Sequence, residues 1–133
     1  MGKKDRHRIL VVDDEPDSIE FVRAILEDAG YEVVSASNGD EGIRAARVTR
    51  PDLVILDVQM PGKDGFSAFA DMRKDPELRA IPVVMLTGVR QRLGLPFSSQ
   101  DMGEYLGEEP NAYVEKPVDA KALQETVRGL LGG

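Results

Sequence analysis

A chain of 133 residues, 41% apolar and 31% charged, is one ordinary domain with enough material for a core of its own. The absence of cysteine excludes a disulfide framework, a thiolate metal site and a cysteine nucleophile, and is the composition expected in a reducing cytoplasm. A formal net charge of −7 sets the whole domain against a phosphate backbone, so direct nucleic acid binding is not expected.

In chain order, residues 1–7 read as a basic, solvated tail carrying Lys3, Lys4 and Arg6. The apolar stretch that follows is only residues 9–12, too short for a signal-peptide core or a membrane span. The run "RILVV" (8–12) is a strand of branched residues. Residues 15–30 read as a helix. Pro16 suits its first turn, Glu15 and Asp17 suit its positive end, and Gly30 suits its stop. Ile19, Val22, Ile25, Leu26 and Ala29 share one face at helical spacing. Residues 31–37 form a second strand. Residues 38–50 form a helix opened by Asn38, with Ile43, Ala46 and Val48 inward. The third strand spans 53–56 and runs into a loop rich in Pro and Gly. A helix over 66–75 aligns Phe66, Phe69 and Met72. The fourth strand lies in 81–88, a short fifth strand lies in 112–117, and the last helix, 119–131, carries Leu123, Val127, Leu130 and Leu131 as its stripe.

Strands that alternate with helices predict an α/β fold, a doubly wound parallel sheet with helices on both faces. Near-continuous Val, Ile and Leu in the strands is what a sheet covered on both sides requires. Segment 89–111 breaks the pattern. It stands where a fourth helix belongs, yet contains Gly94, Pro96, Gly103, Gly107 and Pro110, so short broken helix joined by loop is expected.

Ligands of an open parallel sheet gather at the carboxyl ends of its strands. Strand one delivers Asp13 and Asp14, strand three Asp57, strand four Thr87 followed by Gly88, and strand five Glu115, Lys116 and Pro117. In the order 2-1-3-4-5, strands one and three are neighbours where the winding reverses, and Asp13, Asp14 and Asp57 converge. Three carboxylates that close need either a raised pKa or a cation. A hard dication such as Mg2+ suits oxygen ligands and keeps waters that a phosphate can replace. Thr87 offers a hydroxyl, Lys116 a mobile positive charge, and Asp57 a carboxylate able to attack phosphorus. Each residue has a plainer use alone: Asp13 and Asp14 as helix caps, Asp57 as a turn former, Thr87 as a strand-end hydroxyl, Lys116 as a solvated cation. His7, the lone histidine, belongs on the surface at the opposite end of the sheet.

The motifs "ILVVDDEP", "PDLVILDVQMPGKDGF", "VVMLTG" and "VEKP" resemble the receiver domain of two-component response regulators, over residues 8–131. The run from Asp57 to Gly65 is the most specific of them. The resemblance implies a flavodoxin-like (βα)5 three-layer sandwich and a phosphorylation-driven signalling switch rather than an enzyme acting on other substrates. Asp57 looks like the phosphoacceptor. Asp13 and Asp14, with Asp57 and the backbone carbonyl of Gln59, look like the Mg2+ ligands. Thr87 and Tyr113 look like the switch pair, and Lys116 like the lysine that pairs with the phosphoryl group. Pro117 matches a proline that often follows a cis bond, and Gly88 replaces a commoner alanine. The implied partners are a histidine kinase or histidine phosphotransfer protein and a downstream target docking on the face made by the fourth helix segment, strand five and the last helix. Membrane association is not expected, and a stand-alone, cytoplasmic regulator is. Tyr113 alone also reads as a plain edge-strand aromatic.

The chain departs from the family pattern in the length of 89–111 and in "EPNAYVEKP", which stands where Gly-Ala is usual before strand five. Two other readings of the same fold fit the residues less well. A flavodoxin-like electron carrier wants a Ser/Thr/Gly-rich loop after strand one and aromatics around a flavin; here the loop is acidic and aromatics are 5%. An aspartyl-phosphate phosphatase wants a second Asp two residues past the nucleophile, where Gln59 stands.

Overall fold

The structure, a computed structural model, describes residues 7–58, 64–87 and 110–132. The elements are β1 (Arg8–Val12), α1 (Pro16–Asp28), β2 (Glu32–Ala36), α2 (Gly39–Thr49), β3 (Leu53–Asp57), α3 (Gly65–Lys74), β4 (Val83–Thr87), β5 (Ala112–Glu115) and α4 (Ala120–Leu131). The five strands make one parallel sheet in the order β2-β1-β3-β4-β5, as expected. The tail before His7, Gln59, Gly88 and nearly all of segment 89–111 lie outside the described residues.

Alternation along the strands sends successive side chains to opposite layers. Leu10, Val12, Val54, Leu56, Val83 and Met85 pack against Ile43 and Ala46 of α2 and Ala68, Phe69 and Met72 of α3. Ile9, Val11, Leu53, Ile55, Val84 and Leu86 pack against Val22, Ile25 and Leu26 of α1 and Leu123 and Val127 of α4. The three central strands are therefore buried along nearly their whole length, which is why each is a run of branched residues.

The helix ends follow their sequence signals. Pro16 opens α1, and the Asn38 side chain accepts from the Glu41 amide at 2.9 Å. Glu41 reaches back to the Ser37 hydroxyl at 2.8 Å. Replacing Asn38 with alanine should cost about 1 kcal/mol in urea unfolding, and serine should restore most of it. An unchanged midpoint in the alanine variant would remove the capping role.

One inward assignment fails. Val48 is 81% exposed. Gly39, Gly42, Ile43 and Ala46 fill the inward stripe of α2, and Val48, two residues past Ala46 at about 100° per residue, points to the opposite side. His7 is exposed as expected and rests beside Tyr31 and 3.6 Å from Asp52. No helix among the described residues is long and apolar enough to cross a membrane.

Candidate phosphoacceptor site

β1 and β3 lie side by side, pairing Val12 with Leu56, so the residues that follow them emerge into one crevice. Asp13, Asp14 and Asp57 offer carboxylate oxygens that all lie within 4.8 Å of one another. Asp13 is fully buried and Asp57 nearly so, while Asp14 is exposed at the mouth. Neither acid caps α1, whose N-cap residue Glu15 makes no side-chain cap, but Asp13 forms an Asx turn ahead of it. Asp13 Oδ1 accepts from the Glu15 amide at 2.9 Å, closing the turn into α1. Its second oxygen, Oδ2, faces the crevice.

Lys116 enters from the far edge of the sheet. Its amide donates to the Thr87 carbonyl at 2.7 Å, extending the β4–β5 ladder past Glu115. Its ammonium lies 3.2 Å from Asp13 Oδ2 and 3.1 Å from Asp57 Oδ1. The first contact is a hydrogen bond. The second is a short ion pair without hydrogen-bonding aim, so Asp57 Oδ1 is buried with no hydrogen bond among the described residues.

The electrostatics agree. Burial, with the negative charge of Asp13 added, pushes the Asp57 carboxyl up from 3.8 to about 6, against the opposing pull of Lys116. Burial alone would depress the Lys116 ammonium, but Asp57 and Asp13 outweigh it and hold its pKa above the usual lysine value. One cation is thus too few for three acids. The all-oxygen donor set and its excess negative charge fit a hard dication of the Mg2+ type.

Thr87 ends β4 buried at the rim of the crevice. Tyr113 pairs with Met85, two register steps before Glu115 pairs with Thr87. By alternation Thr87 and Tyr113 face the same layer, where Tyr113 packs half-buried against the core. The Lys116–Pro117 peptide is cis, as the resemblance implied.

Gly65 lies against the candidate site. Its amide donates to the Val58 carbonyl at 2.9 Å. A Cβ built on it would overlap the carbonyl oxygen of Asp57 and press on Val58. The start of α3 therefore lies directly against the backbone of the candidate phosphoacceptor. Only the unusual "DG" at a helix start hinted at this in the sequence.

A family model for the response regulator receiver domain matches residues 9–128. Protein PilH of Pseudomonas aeruginosa is 38% identical over 95% of this chain and 98% of its own length. The chain spans about half the length of several curated transcriptional regulators that it also matches. Among solved structures, a response regulator of Chloroflexus aurantiacus J-10-fl superposes with a TM-score of 0.83 at 32% identity, covering 97% of this chain and all of that one. The receiver domain of the Pseudomonas aeruginosa sensor histidine kinase PA1611 superposes with a TM-score of 0.79 at 26% identity, covering 96% and 99%, with a magnesium ion coordinated in its active-site cleft. With its acid-lined crevice, parallel sheet order and near-complete family match, this chain belongs to the response regulator receiver domain family.

Proposed function

We propose that this receiver domain is a switch thrown by phosphorylation of Asp57. The observation that carries the reading is the buried Asp57 Oδ1, which lies beside an ammonium yet holds no hydrogen bond among the described residues. A carboxylate so placed is desolvated enough to be reactive and has an oxygen available for bonding. Asp57 would attack the phosphorus of a phosphohistidine on a histidine kinase or phosphotransfer protein, or of a small acyl phosphate. The new P–O bond forms as the bond from phosphorus to imidazole nitrogen or acyl oxygen breaks, and the leaving group takes the electron pair.

Asp13, Asp14 and Asp57 would hold Mg2+, together with the backbone carbonyl of Gln59, and the ion when bound neutralises charge on the transferring group. PA1611's receiver domain, with magnesium in its cleft, supports this assignment. Lys116 would turn from its pair with Asp57 to the phosphoryl oxygens. The Thr87 hydroxyl would donate to them as well, and Tyr113, on the same face, would follow into the space that Thr87 leaves. Contacts made only in the phosphorylated state bias a two-state equilibrium. The output face would comprise β5, α4 and the 89–111 segment, through which a downstream target docks in a cytoplasmic setting.

Incubation with acetyl phosphate and Mg2+ should add one PO3 unit to the wild type by intact mass and none to Asp57→Asn. Chelation of the metal should abolish the addition. Equal labelling of both proteins would move the acceptor elsewhere.

A further inference from the structure

We propose that Asn111, held by Arg73, is a positioning residue for phosphoryl transfer: it locks the register of β5 and thereby delivers Lys116 to Asp57. The inference rests on the function proposed above and adds to it a residue outside the crevice.

β5 is poorly specified by its own side chains. It is a four-residue edge strand with one neighbour, and only Val114 in it is buried. Residues 88–111 separate it from β4, too long a connection for a tight turn to set the pairing. Register is strongly specified where a turn or a buried face dictates it, and weakly elsewhere. Yet the register here matters greatly, because Lys116 follows the strand directly and its ammonium must reach both Asp13 and Asp57. A slip of one residue moves the strand by roughly 3.3 Å and turns its side chains to the other face.

Asn111 supplies the missing constraint. Its amide donates to the Val83 carbonyl at 2.9 Å, and its Oδ1 accepts from the Val83 amide at 2.9 Å. One residue thus grips both backbone groups of the residue that opens β4, a two-point clamp that a slipped strand cannot reproduce. Arg73 holds the clamp from α3. Its Nη2 donates to Asn111 Oδ1 at 3.2 Å and its Nη1 to the Ile81 carbonyl at 3.0 Å. Its guanidinium lies 4.6 Å from the ring centroid of the fully buried Phe69. At the far end of the same ladder, the Lys116 amide meets the Thr87 carbonyl.

Asp13, Asp14 and Asp57 come from β1 and β3, not from β5. Loss of the clamp should therefore spare Mg2+ binding while removing the lysine's help. Full-length wild type, Asn111→Ala, Asn111→Asp, Lys116→Ala and the double variant Asn111→Ala/Lys116→Ala would be compared. The readouts are Mg2+ affinity by calorimetry, phosphorylation rate with acetyl phosphate by intact mass, and the NMR signal of the Lys116 εCH2 group. Asn111→Ala should slow phosphorylation about tenfold with Mg2+ affinity unchanged or tighter, as misplacement of a catalytic group predicts. Asn111→Asp keeps the acceptor facing Val83 and Arg73 and should retain the rate. In the Lys116→Ala background, Asn111→Ala should change nothing further, since both act through one group. A wild-type rate in Asn111→Ala, a further loss in the double variant, or a parallel fall in Mg2+ affinity would overturn the proposal. The Lys116 signal should shift in Asn111→Ala and not in Asn111→Asp, even if the wild type takes no phosphate. That last result would sink the switch reading and leave the register clamp standing.

Discussion

Replacing Gly65 with alanine should destabilise the fold by about 2 kcal/mol and slow phosphorylation of Asp57 by about 100-fold. The added methyl would overlap the Asp57 carbonyl oxygen and crowd Val58. Both are backbone atoms at the end of a central strand, which cannot swing aside as a side chain can. Either α3 retreats, breaking the Gly65–Val58 hydrogen bond, or the peptide after Asp57 rotates and carries the carboxylate with it. The first route costs stability and the second costs geometry. Gly129, on α4, is the matched control, because a Cβ there meets nothing within 4 Å. Gly129→Ala should leave phosphorylation untouched. Urea unfolding and acetyl phosphate labelling measure the two effects, and a Gly65→Ala protein labelled at the wild-type rate would refute the close-approach role.

Asp57→Asn should stabilise the metal-free protein at neutral pH by about 1–2 kcal/mol. The folded-state pKa of Asp57 is raised from 3.8 to about 6, so folding favours its protonated form. The associated stability is fully present below about pH 4 and is lost as pH rises through 6. The full displacement corresponds to about 3 kcal/mol, and solvent at the crevice mouth beside the exposed Asp14 screens part of it. Other carboxylates add their own trends, so the informative quantity is the difference between the two proteins. It should be near zero at pH 4 and favour Asp57→Asn at pH 7. Saturating Mg2+ should erase or reverse the gap, because an ion that binds only the folded wild type stabilises it by mass action. A gap that is the same at both pH values would show that Asp57 is not desolvated in the way the structure implies.

Much of the site was legible because of where the chemistry falls in the chain. Asp13, Asp57, Thr87 and Lys116 each stand at the end of an apolar run or just beyond it, and the carboxyl ends of parallel strands share one edge of the sheet. The roles of Gly65 and Asn111 were not legible. Gly65 acts through a contact that forms only when α3 folds back on the end of β3. Asn111 acts through a pairing with Val83, 28 positions away. Val48 was expected inward and is exposed, because two residues past the buried Ala46 is more than half a turn round the helix, on the side away from the sheet.

Taken alone, the amino-acid sequence determined the order of strands and helices, the faces that α1, α3 and α4 bury, and which acids and which lysine stand at the strand ends that form the crevice. These are short-range properties: side-chain periodicity, capping chemistry and the residues that follow each strand. Tertiary structure alone decided that Asp13 is buried while its neighbour Asp14 is exposed. It also decided that Lys116 bridges Asp13 and Asp57, and that Asp57 keeps an oxygen without a hydrogen bond among the described residues. Those outcomes depend on register between strands far apart in the chain. A shift of one residue there reverses which side chains meet, while the local pattern along each strand stays the same.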